Sequence, residues 1–216
     1  MKRFNILAVA SVLFAFTVMC GGVAVAVPVI TNGLVAAWEF NGNADDVSGG
    51  GNHGTVVGAV ATADRFGNAN SAYSFANSQA RIEVSPVFSN HQTQLTYVAW
   101  INFPALGGSV YGEFTTDGRT RNYWLARTGW DVNGAQTLST YPAPGGFSNG
   151  NVNMNLADRT QEWVQVALVR NGDTISGYLN GNFEGTDTTA GAYTGSNPTL
   201  AAIGNRYNSH AGGWYG

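Results

Sequence analysis

The stretch WVQVALVRNGDTISGYLNGNFEGT, residues 163–186, decides the fold. It contains two Asn-Gly pairs, Asn171-Gly172 and Asn180-Gly181, and each is typical of a type I′ hairpin turn, which needs a positive φ at both central residues. The residues between the two pairs are enough for one strand. The stretch therefore predicts a meander of three antiparallel strands, at 163–170, 173–179 and 182–187.

A second strand signal lies in LTYVAWINF, residues 95–103. Its odd-numbered residues, from Leu95 to Phe103, would share one face of a strand, because successive side chains point to opposite sides. The other face carries Val98 and Trp100 and is also partly apolar. This pattern predicts an interior strand of a two-layer structure.

The rest of the chain has the same character: many short strand signals, turn residues between them, and no helical apolar period after residue 30. Further strands are predicted at 34–40, 54–60, 71–76, 80–85, 109–116, 122–128, 135–141, 150–155 and 199–204. No linker or fixed-period repeat divides the chain. We therefore expect one all-β domain, a sandwich or a jelly roll.

The N-terminus has the three-part pattern of a secretory signal peptide. Lys2 and Arg3 precede an apolar run over residues 4–18, and Ala24-Val25-Ala26 supplies small residues for cleavage after Ala26. Residues 1–26 are therefore predicted to be removed, which leaves 27–33 as a short lead and places the protein outside the cell or at its surface. Lipidation of Cys20, the only cysteine, is the alternative; the bulky Met19 before it argues against that alternative.

The charge of the chain excludes some partners. Cleavage would remove two of the ten basic residues, so the net charge would change from −3 to −5 against thirteen acidic residues. An acidic chain without a basic cluster is not expected to bind nucleic acid. Nothing after the signal segment is long and apolar enough to predict membrane insertion of the mature chain.

Five segments in this order resemble the LamG-like jelly-roll module of the concanavalin A-like lectin/glucanase superfamily. They are LVAAWEFNGNADDVSGGGNHGTVVGAV, DRFGNANSAYSFANSQARIEV, LTYVAWINF, EWVQVALVRNGDTISGYLNGNFEG and LAAIGNR. The resemblance covers residues 34–216 and implies two curved antiparallel sheets stacked face to face. Members of this family usually continue past the GGWYG position with an Ile-Asp pair and a final strand beside the first, so we expect the domain to be C-terminally incomplete.

The Gly- and Asn-rich stretch 41–55, NGNADDVSGGGNHGT, has three candidate roles. A phosphate cradle is disfavoured, because a strand rather than a helix follows and the two Asp residues would repel a phosphate. A structural calcium could take oxygen ligands from Asp46 and Asn52, and the resemblance implies a calcium here that is shared with a C-terminal acid. The alternative is an Asx-rich turn in which Asp45 and Asp46 cap backbone amides.

An enzyme would need a pair of acids. Glucanases of the superfamily carry Glu-x-Asp-x-x-Glu along one strand, and the nearest approaches here, Glu113 with Asp117 and Asp158 with Glu162, lack that pattern. A zinc site from His53, His91 and His210 is also disfavoured; His53 is predicted to be a buried or hydrogen-bonded structural residue.

Aromatic side chains are the candidates for sugar binding, because rings stack on the C–H faces of sugars. Trp130, Tyr141 and Arg127 are the predicted ligand-binding residues, in a section (105–155) that departs most from the family pattern; the alternative is that they pack under long loops. Trp38, Trp100 and Trp163 are predicted to pack in core strands. We therefore expect a non-catalytic recognition or adhesion module that binds a glycan or an extracellular protein. A glycoside hydrolase domain and a structural domain of a surface protein are the alternatives.

Overall fold

The computed structural model describes residues 5–9, 32–77, 79–87, 94–102, 109–114, 121–128, 137–140, 152, 154–155, 159, 161–188 and 199–204. These residues form strands, turns and loops, and no helix occurs among them. The prediction of an all-β, concanavalin A-like jelly roll of two antiparallel sheets is confirmed.

Fifteen strands lie within the described residues. They are β1 (Asn5–Val9), β2 (Leu34–Ala37), β3 (Thr55–Val57), β4 (Val60–Thr62), β5 (Ala72–Ser74), β6 (Arg81–Val84), β7 (Gln94–Asn102), β8 (Ser109–Phe114), β9 (Arg121–Thr128), β10 (Thr137–Thr140), β11 (Met154–Asn155), β12 (Trp163–Asn171), β13 (Thr174–Leu179), β14 (Asn182–Thr188) and β15 (Leu200–Gly204). One sheet has the order β14-β13-β12-β7-β1-β2, and the other has the order β11-β10-β9-β8-β15-β6-β3. A separate hairpin pairs β4 with β5.

The predicted meander is confirmed as β12, β13 and β14, but one of its turns differs from the prediction. At Asn180-Gly181 both central residues have positive φ, 49° and 80°, as type I′ requires. The first turn is centred on Gly172-Asp173 instead, because Asn171 pairs with Thr174 in the ladder. Only Gly172 has a positive φ there, which is the pattern of type II′. Asn171 is retained in the strand, where its side chain accepts a hydrogen bond from Gln94.

The core lies between the two sheets. From β7, Leu95, Tyr97 and Ala99 point inward, and from β12 the even-numbered residues from Val164 to Arg170 do so. Residues of β6 and β15 close the core from the opposite sheet. The odd-numbered residues of 95–103 therefore share one face, as predicted, over the residues that the structure describes.

The three tryptophans that were predicted to pack in the core separate into two groups. Trp38 is buried, 1 % exposed, and stacks on Tyr111 of the opposite sheet with ring centroids 6.5 Å apart. Trp100 and Trp163 also lie in strands of the six-stranded sheet, as predicted, but on its outer face, where they are partly buried. Their neighbours in sequence, not they, occupy the inward positions.

Strand β1 comes from the segment that the sequence predicts to be a signal peptide. It lies between β7 and β2 and runs parallel to both, in a sheet whose other ladders are antiparallel. The sheet thus uses five residues, Asn5–Val9, that cleavage after Ala26 would remove.

Candidate functional site

The loop over residues 41–55 is organised by the carboxylate of Asp46, which is 6 % exposed. Its Oδ1 accepts hydrogen bonds from the backbone N–H groups of Ala37 at 3.0 Å and Ser48 at 2.9 Å. Its Oδ2 accepts from the backbone N–H of Asn52 at 2.9 Å and from the Asn52 side-chain amide at 3.3 Å. One carboxylate therefore joins the end of β2 to two turns of the loop.

At one position of this loop, Gly50, steric contacts require a glycine. A Cβ on Gly50 would lie 2.6 Å from the carbonyl oxygen of Val35, closer than a side chain can approach, and in tight contact, 3.2 Å, with Oδ2 of Asp46. The loop backbone thus passes directly over β2. The carbonyl oxygen of Asn52 accepts a hydrogen bond from Nε1 of the buried Trp38 at 2.9 Å, which ties the loop to the core.

The electrostatics of Asp46 follow from these donors. Burial on its own would raise the pKa of Asp46, but the hydrogen bonds from Ser48, Ala37 and Asn52 outweigh it and hold the pKa below its ordinary value of 3.8. The carboxylate is therefore charged at neutral pH, and N–H dipoles balance its charge.

Asp46 and Asn52 do not fit a calcium ion. Calcium needs oxygen lone pairs directed at it, whereas both oxygens of Asp46 are already directed at N–H donors, whose hydrogens would repel a cation. Among the described residues no group of three or more His, Cys, Asp or Glu side chains could hold a metal ion. The geometry is that of an Asx-rich turn, the alternative that the sequence left open.

His53 is hydrogen-bonded, as predicted, but it is not buried. Its Nδ1 accepts from the backbone N–H of Asp46 at 3.3 Å and lies 3.4 Å from Oδ1 of Asp45. The side chains of His53 and Asp45 are 61 % and 56 % exposed. His91 and His210 lie outside the described residues.

The predicted ligand-binding residues are not brought together by the described part of the structure. Arg127 lies in β9, opposite Leu138 of β10 in the ladder. Trp130 and Tyr141 lie outside the described residues, so their predicted role is untested.

The predicted acidic pairs are also only partly placed. Glu113 lies in β8, opposite Ala201 of β15, and Glu162 is exposed just before β12. Asp117 and Asp158 lie outside the described residues. Among the acids with described side chains only Asp46 is buried, and hydrogen bonds occupy it.

The outer face of the six-stranded sheet carries apolar and aromatic side chains from four strands, of which sequence reasoning found only Val98 and Trp100. We call it the aromatic face and define it by Val98 and Trp100 of β7, Ala167 of β12, Tyr178 of β13 and Phe183 of β14. One row of cross-strand partners runs over β7, β12, β13 and β14 and consists of Val98, Ala167, Tyr178 and Phe183. Strands β1 and β2, at the far edge of the sheet, are not part of the aromatic face. The alternation of the meander could have located Ala167 and Tyr178, since both fall between inward positions.

Phe183 could not have been located in this way, because a β-bulge separates it from the regular alternation. The register shifts between Gly177 and Tyr178, so that Tyr178 pairs with Phe183 while Gly177 pairs with Gly185. The extra residue on β14 re-aims the strand, as bulges do. Phe183 is 61 % exposed and contacts Tyr178 edge to face at 5.7 Å between ring centroids.

An arginine extends the aromatic face at Trp100. The guanidinium of Arg65 lies 4.1 Å from the Trp100 ring centroid and 4.3 Å from that of Phe66, a cation–π arrangement with both rings. The preceding Asp64 fixes this loop by accepting hydrogen bonds from the N–H groups of Phe66 and Asn68. Phe66 is 51 % exposed, so aromatic surface is open at both ends of the aromatic face.

The family comparison agrees with this fold. The Laminin_G_3 description, of the concanavalin A-like lectin/glucanases superfamily, matches residues 68–216, which is more than half of the chain. The chain belongs to this superfamily. Its fold is shared by lectins and by glycoside hydrolases, so membership gives the architecture and leaves the choice between them to the site. No curated protein matches the chain at a significant level.

A solved structure resembles the chain in fold, and two others match it at lower scores. Domain 4 of AbnA, a GH43 extracellular arabinanase from Geobacillus stearothermophilus in complex with arabinotriose, superposes with a TM-score of 0.54 at 18% identity, over 84% of this chain and 87% of that one. The HCR/D W1238A mutant gives 0.45 at 14% identity over 74% and 40%. The alginate lyase AlgAT5 of Polysaccharide Lyase family 7 gives 0.28 at 15% identity over 59% and 67%.

In the described part of the chain, no helix is both long and apolar enough to cross a membrane.

Proposed function

We propose that this superfamily member is a non-catalytic carbohydrate-binding module that acts outside the cell and binds its ligand on the aromatic face. The observation that carries the proposal is the exposed Phe183 ring, held edge to face by Tyr178 on an open sheet surface. Large exposed rings in a contiguous patch are typical of interaction sites rather than of ordinary surface.

The chemistry beside these rings suits a sugar. The hydroxyls of Ser176 and Thr186 lie 3.3 Å apart in a nearby cross-strand pair. Thr186 donates its proton to the carbonyl oxygen of Ile175 at 2.8 Å, so it can only accept from a sugar hydroxyl, whereas Ser176 can donate or accept. The rings would stack on C–H faces while the hydroxyls set orientation, the usual division of roles in a small-ligand site. The related fold of the arabinanase domain was solved with arabinotriose, so arabinotriose is a reasonable first probe.

Secretion is part of the proposal, and it rests on the signal-peptide pattern of residues 1–26. A glycan outside the cell is the partner to which the proposal commits. Secretion would be checked by N-terminal sequencing of the exported protein, which should begin at Val27.

The test of binding is a glycan array, followed by titration calorimetry with arabinotriose and each glycan that binds. Phe183→Ala should weaken binding about tenfold, the loss expected from one stacked ring. The matched control is Val56→Ala, which removes another exposed apolar side chain, 38 % exposed, on β3 of the seven-stranded sheet. It should leave affinity unchanged.

The outcomes separate the possible sites. If Phe183→Ala binds as well as the unaltered protein and Trp130→Ala does not, the ligand lies on the residues predicted from sequence and the aromatic face is not the site. If no glycan binds, the carbohydrate proposal fails. If a bound glycan is cleaved, as an assay for new reducing ends would detect, the non-catalytic part fails.

A further inference from the structure

The middle of the aromatic face has no charge of its own. In β7, β12 and β13 the outward residues alternate with buried ones, and every outward residue of these three strands is uncharged. The edge strand β14 adds Glu184 and Asp187. The chain carries thirteen acidic residues and a net charge of −3, so acids are kept off this part of the surface although the protein as a whole is acidic.

Arg65 places a cation against this uncharged surface. Its guanidinium lies over the Trp100 ring at 4.1 Å and over the Phe66 ring at 4.3 Å from the centroids. No ion pair within the described residues includes Arg65. The neighbouring Asp64 does not serve as its partner, because that carboxylate accepts from the N–H groups of Phe66 and Asn68 and from the Asn68 amide. Burial lowers the pKa of Arg65, and the charge of Asp64 offsets this only in part.

Two hydrogen-bond donors at this place have no acceptor. Nη1 of Arg65 and Nε1 of Trp100 are both buried, and neither has a hydrogen-bond partner. Buried N–H groups are nearly always paired, because an unpaired one has lost water and gained nothing in return. Since the guanidinium lies over the indole ring, the two donors share one location. An acceptor that reached them would recover free energy that the protein alone does not.

The loop that carries Arg65 is fixed in its backbone. The N–H of Asp64 donates to the carbonyl oxygen of Asn68, and the N–H of Gly67 donates to that of Asp64, both at 3.1 Å. The side chains at the tip are held less firmly: Phe66 is 51 % exposed and Arg65 is only partly buried. Rotation of these two side chains, a common change on binding, would open the donors without moving the backbone.

We propose that Arg65, together with Nε1 of Trp100, binds the carboxylate of a uronic acid sugar at the Trp100 end of the aromatic face. A carboxylate presents two oxygens in one plane, which match the parallel N–H bonds of a guanidinium. The uncharged outward residues of β7, β12 and β13 would not repel an acidic glycan, as a row of acids would. The proposal rests on the carbohydrate-binding function and names the class of glycan, which rings alone do not select.

The first test compares sugars that differ only in the charge of the carboxyl group. Trisaccharides of galacturonate, glucuronate, mannuronate and guluronate are each titrated by calorimetry beside their methyl esters. At least one acid form should bind about tenfold more tightly than its ester, as a charged hydrogen bond predicts. Arg65→Gln should abolish this preference and leave affinity for the ester within about twofold. Arg65→Lys should retain part of it, because lysine keeps the charge and loses the planar fork.

The matched control is Arg81→Gln, which removes the same charge from β6 of the seven-stranded sheet and should keep the preference. Melting temperatures show that each variant is folded, and Arg65→Lys replaces Arg65→Gln if the latter is not. A preference that survives in Arg65→Gln, or acid and ester forms that bind equally, would overturn the proposal. Arabinotriose is titrated in parallel: if it binds, and Phe183→Ala weakens that binding, the aromatic face stands even where the role of Arg65 fails.

The second test observes the Trp100 donor directly. In a ¹⁵N–¹H spectrum the Nε1–H resonance of Trp100, assigned by its loss in Trp100→Phe, should move downfield when the best-binding acid trisaccharide is added, because the group gains an acceptor. The methyl ester should not move it, and neither sugar should move it in Arg65→Gln. A resonance that stays in place with the acid form, or shifts equally with the ester, contradicts carboxylate binding at this site.

Discussion

At the scale of single residues, Asp46 supplies the acceptor that ends strand β2. The strand finishes at Ala37, and the Asp46 carboxylate accepts the N–H of that residue. The same carboxylate satisfies the N–H groups of Ser48 and Asn52. Four donors on one buried carboxylate, counting the Asn52 side chain, explain why an acid is needed in this Gly-rich loop.

Asp46→Asn should therefore destabilise the domain by about 2 to 3 kcal/mol, since the amide –NH₂ must face N–H donors and leaves two of them unpaired. Urea denaturation would measure the change in the free energy of unfolding. Asp45→Asn is the control, because Asp45 is exposed and should change stability by less than about 0.5 kcal/mol. Equal losses in the two variants would contradict the role given to Asp46.

The lowered pKa of Asp46 predicts the pH dependence of that difference. A carboxyl whose pKa is lower in the folded state contributes stability above its unfolded pKa and loses it as pH falls through the folded pKa. The gap in unfolding free energy between the native protein and Asp46→Asn should thus be constant from neutral pH down to about pH 4 and shrink below it. Denaturation at pH 7 and pH 3 tests this; a gap that widens in acid would refute it.

Calcium removal is the companion measurement. Since Asp46 and Asn52 do not fit the ion, the melting temperature measured in EDTA should equal that measured in added calcium. This should hold up to about 1 mM calcium, the range in which extracellular calcium sites bind the ion. A clear drop in EDTA would restore the calcium prediction and require other ligands.

At the scale of elements, the sequence predicts what is encoded locally and misses what depends on a partner strand. The Asn180-Gly181 turn and the strand bounds within a few residues follow from composition and alternation. The first turn has a local signal of its own, since Gly172-Asp173 places Gly at the first central position, as type II′ requires. The outward position of Phe183 depends on a bulge against β13, which has no signal within its own segment, and the aromatic face depends on that bulge.

The second turn gives an element-scale prediction. Asn180 adopts a left-handed φ of 49°, and its Oδ1 accepts the N–H of Gln165 at 2.9 Å, which fastens the β13–β14 turn to β12. Asn180→Ala should cost about 1 to 2 kcal/mol of unfolding free energy, from the left-handed backbone and the lost hydrogen bond. Asn182→Ala, exposed at the start of β14, should cost much less. Similar values for the two variants would mean that the turn is not pinned in this way.

At the scale of the whole molecule, the two sheets are joined where an aromatic side chain of the seven-stranded sheet packs against two rings of the six-stranded side. Tyr111 of β8 contacts Trp38 at 6.5 Å and Tyr97 of β7 at 5.6 Å between ring centroids. The sequence predicted two layers, because alternation alone gives each strand an inner and an outer face. It could not predict which residues of the two layers contact each other. It also could not predict that part of the apolar N-terminal run, which has no alternation, forms strand β1. Both depend on contacts between segments that are distant in the sequence.

Tyr111→Ala should accordingly destabilise the entire sandwich. Truncating a buried aromatic side chain costs about 3 to 5 kcal/mol, which for a domain of this size lowers the melting temperature by about 6 to 20 °C. Tyr178→Ala removes a ring of the same size from the aromatic face and should change the midpoint by only a few degrees, because that ring is partly exposed. Because Tyr111 connects both sheets, its variant should still melt in one transition, with tryptophan fluorescence and far-UV circular dichroism changing together. Two separated transitions would show that the sheets unfold independently. An equally large fall in melting temperature for Tyr178→Ala would show that the outer face, and not the contact between the sheets, stabilises the molecule.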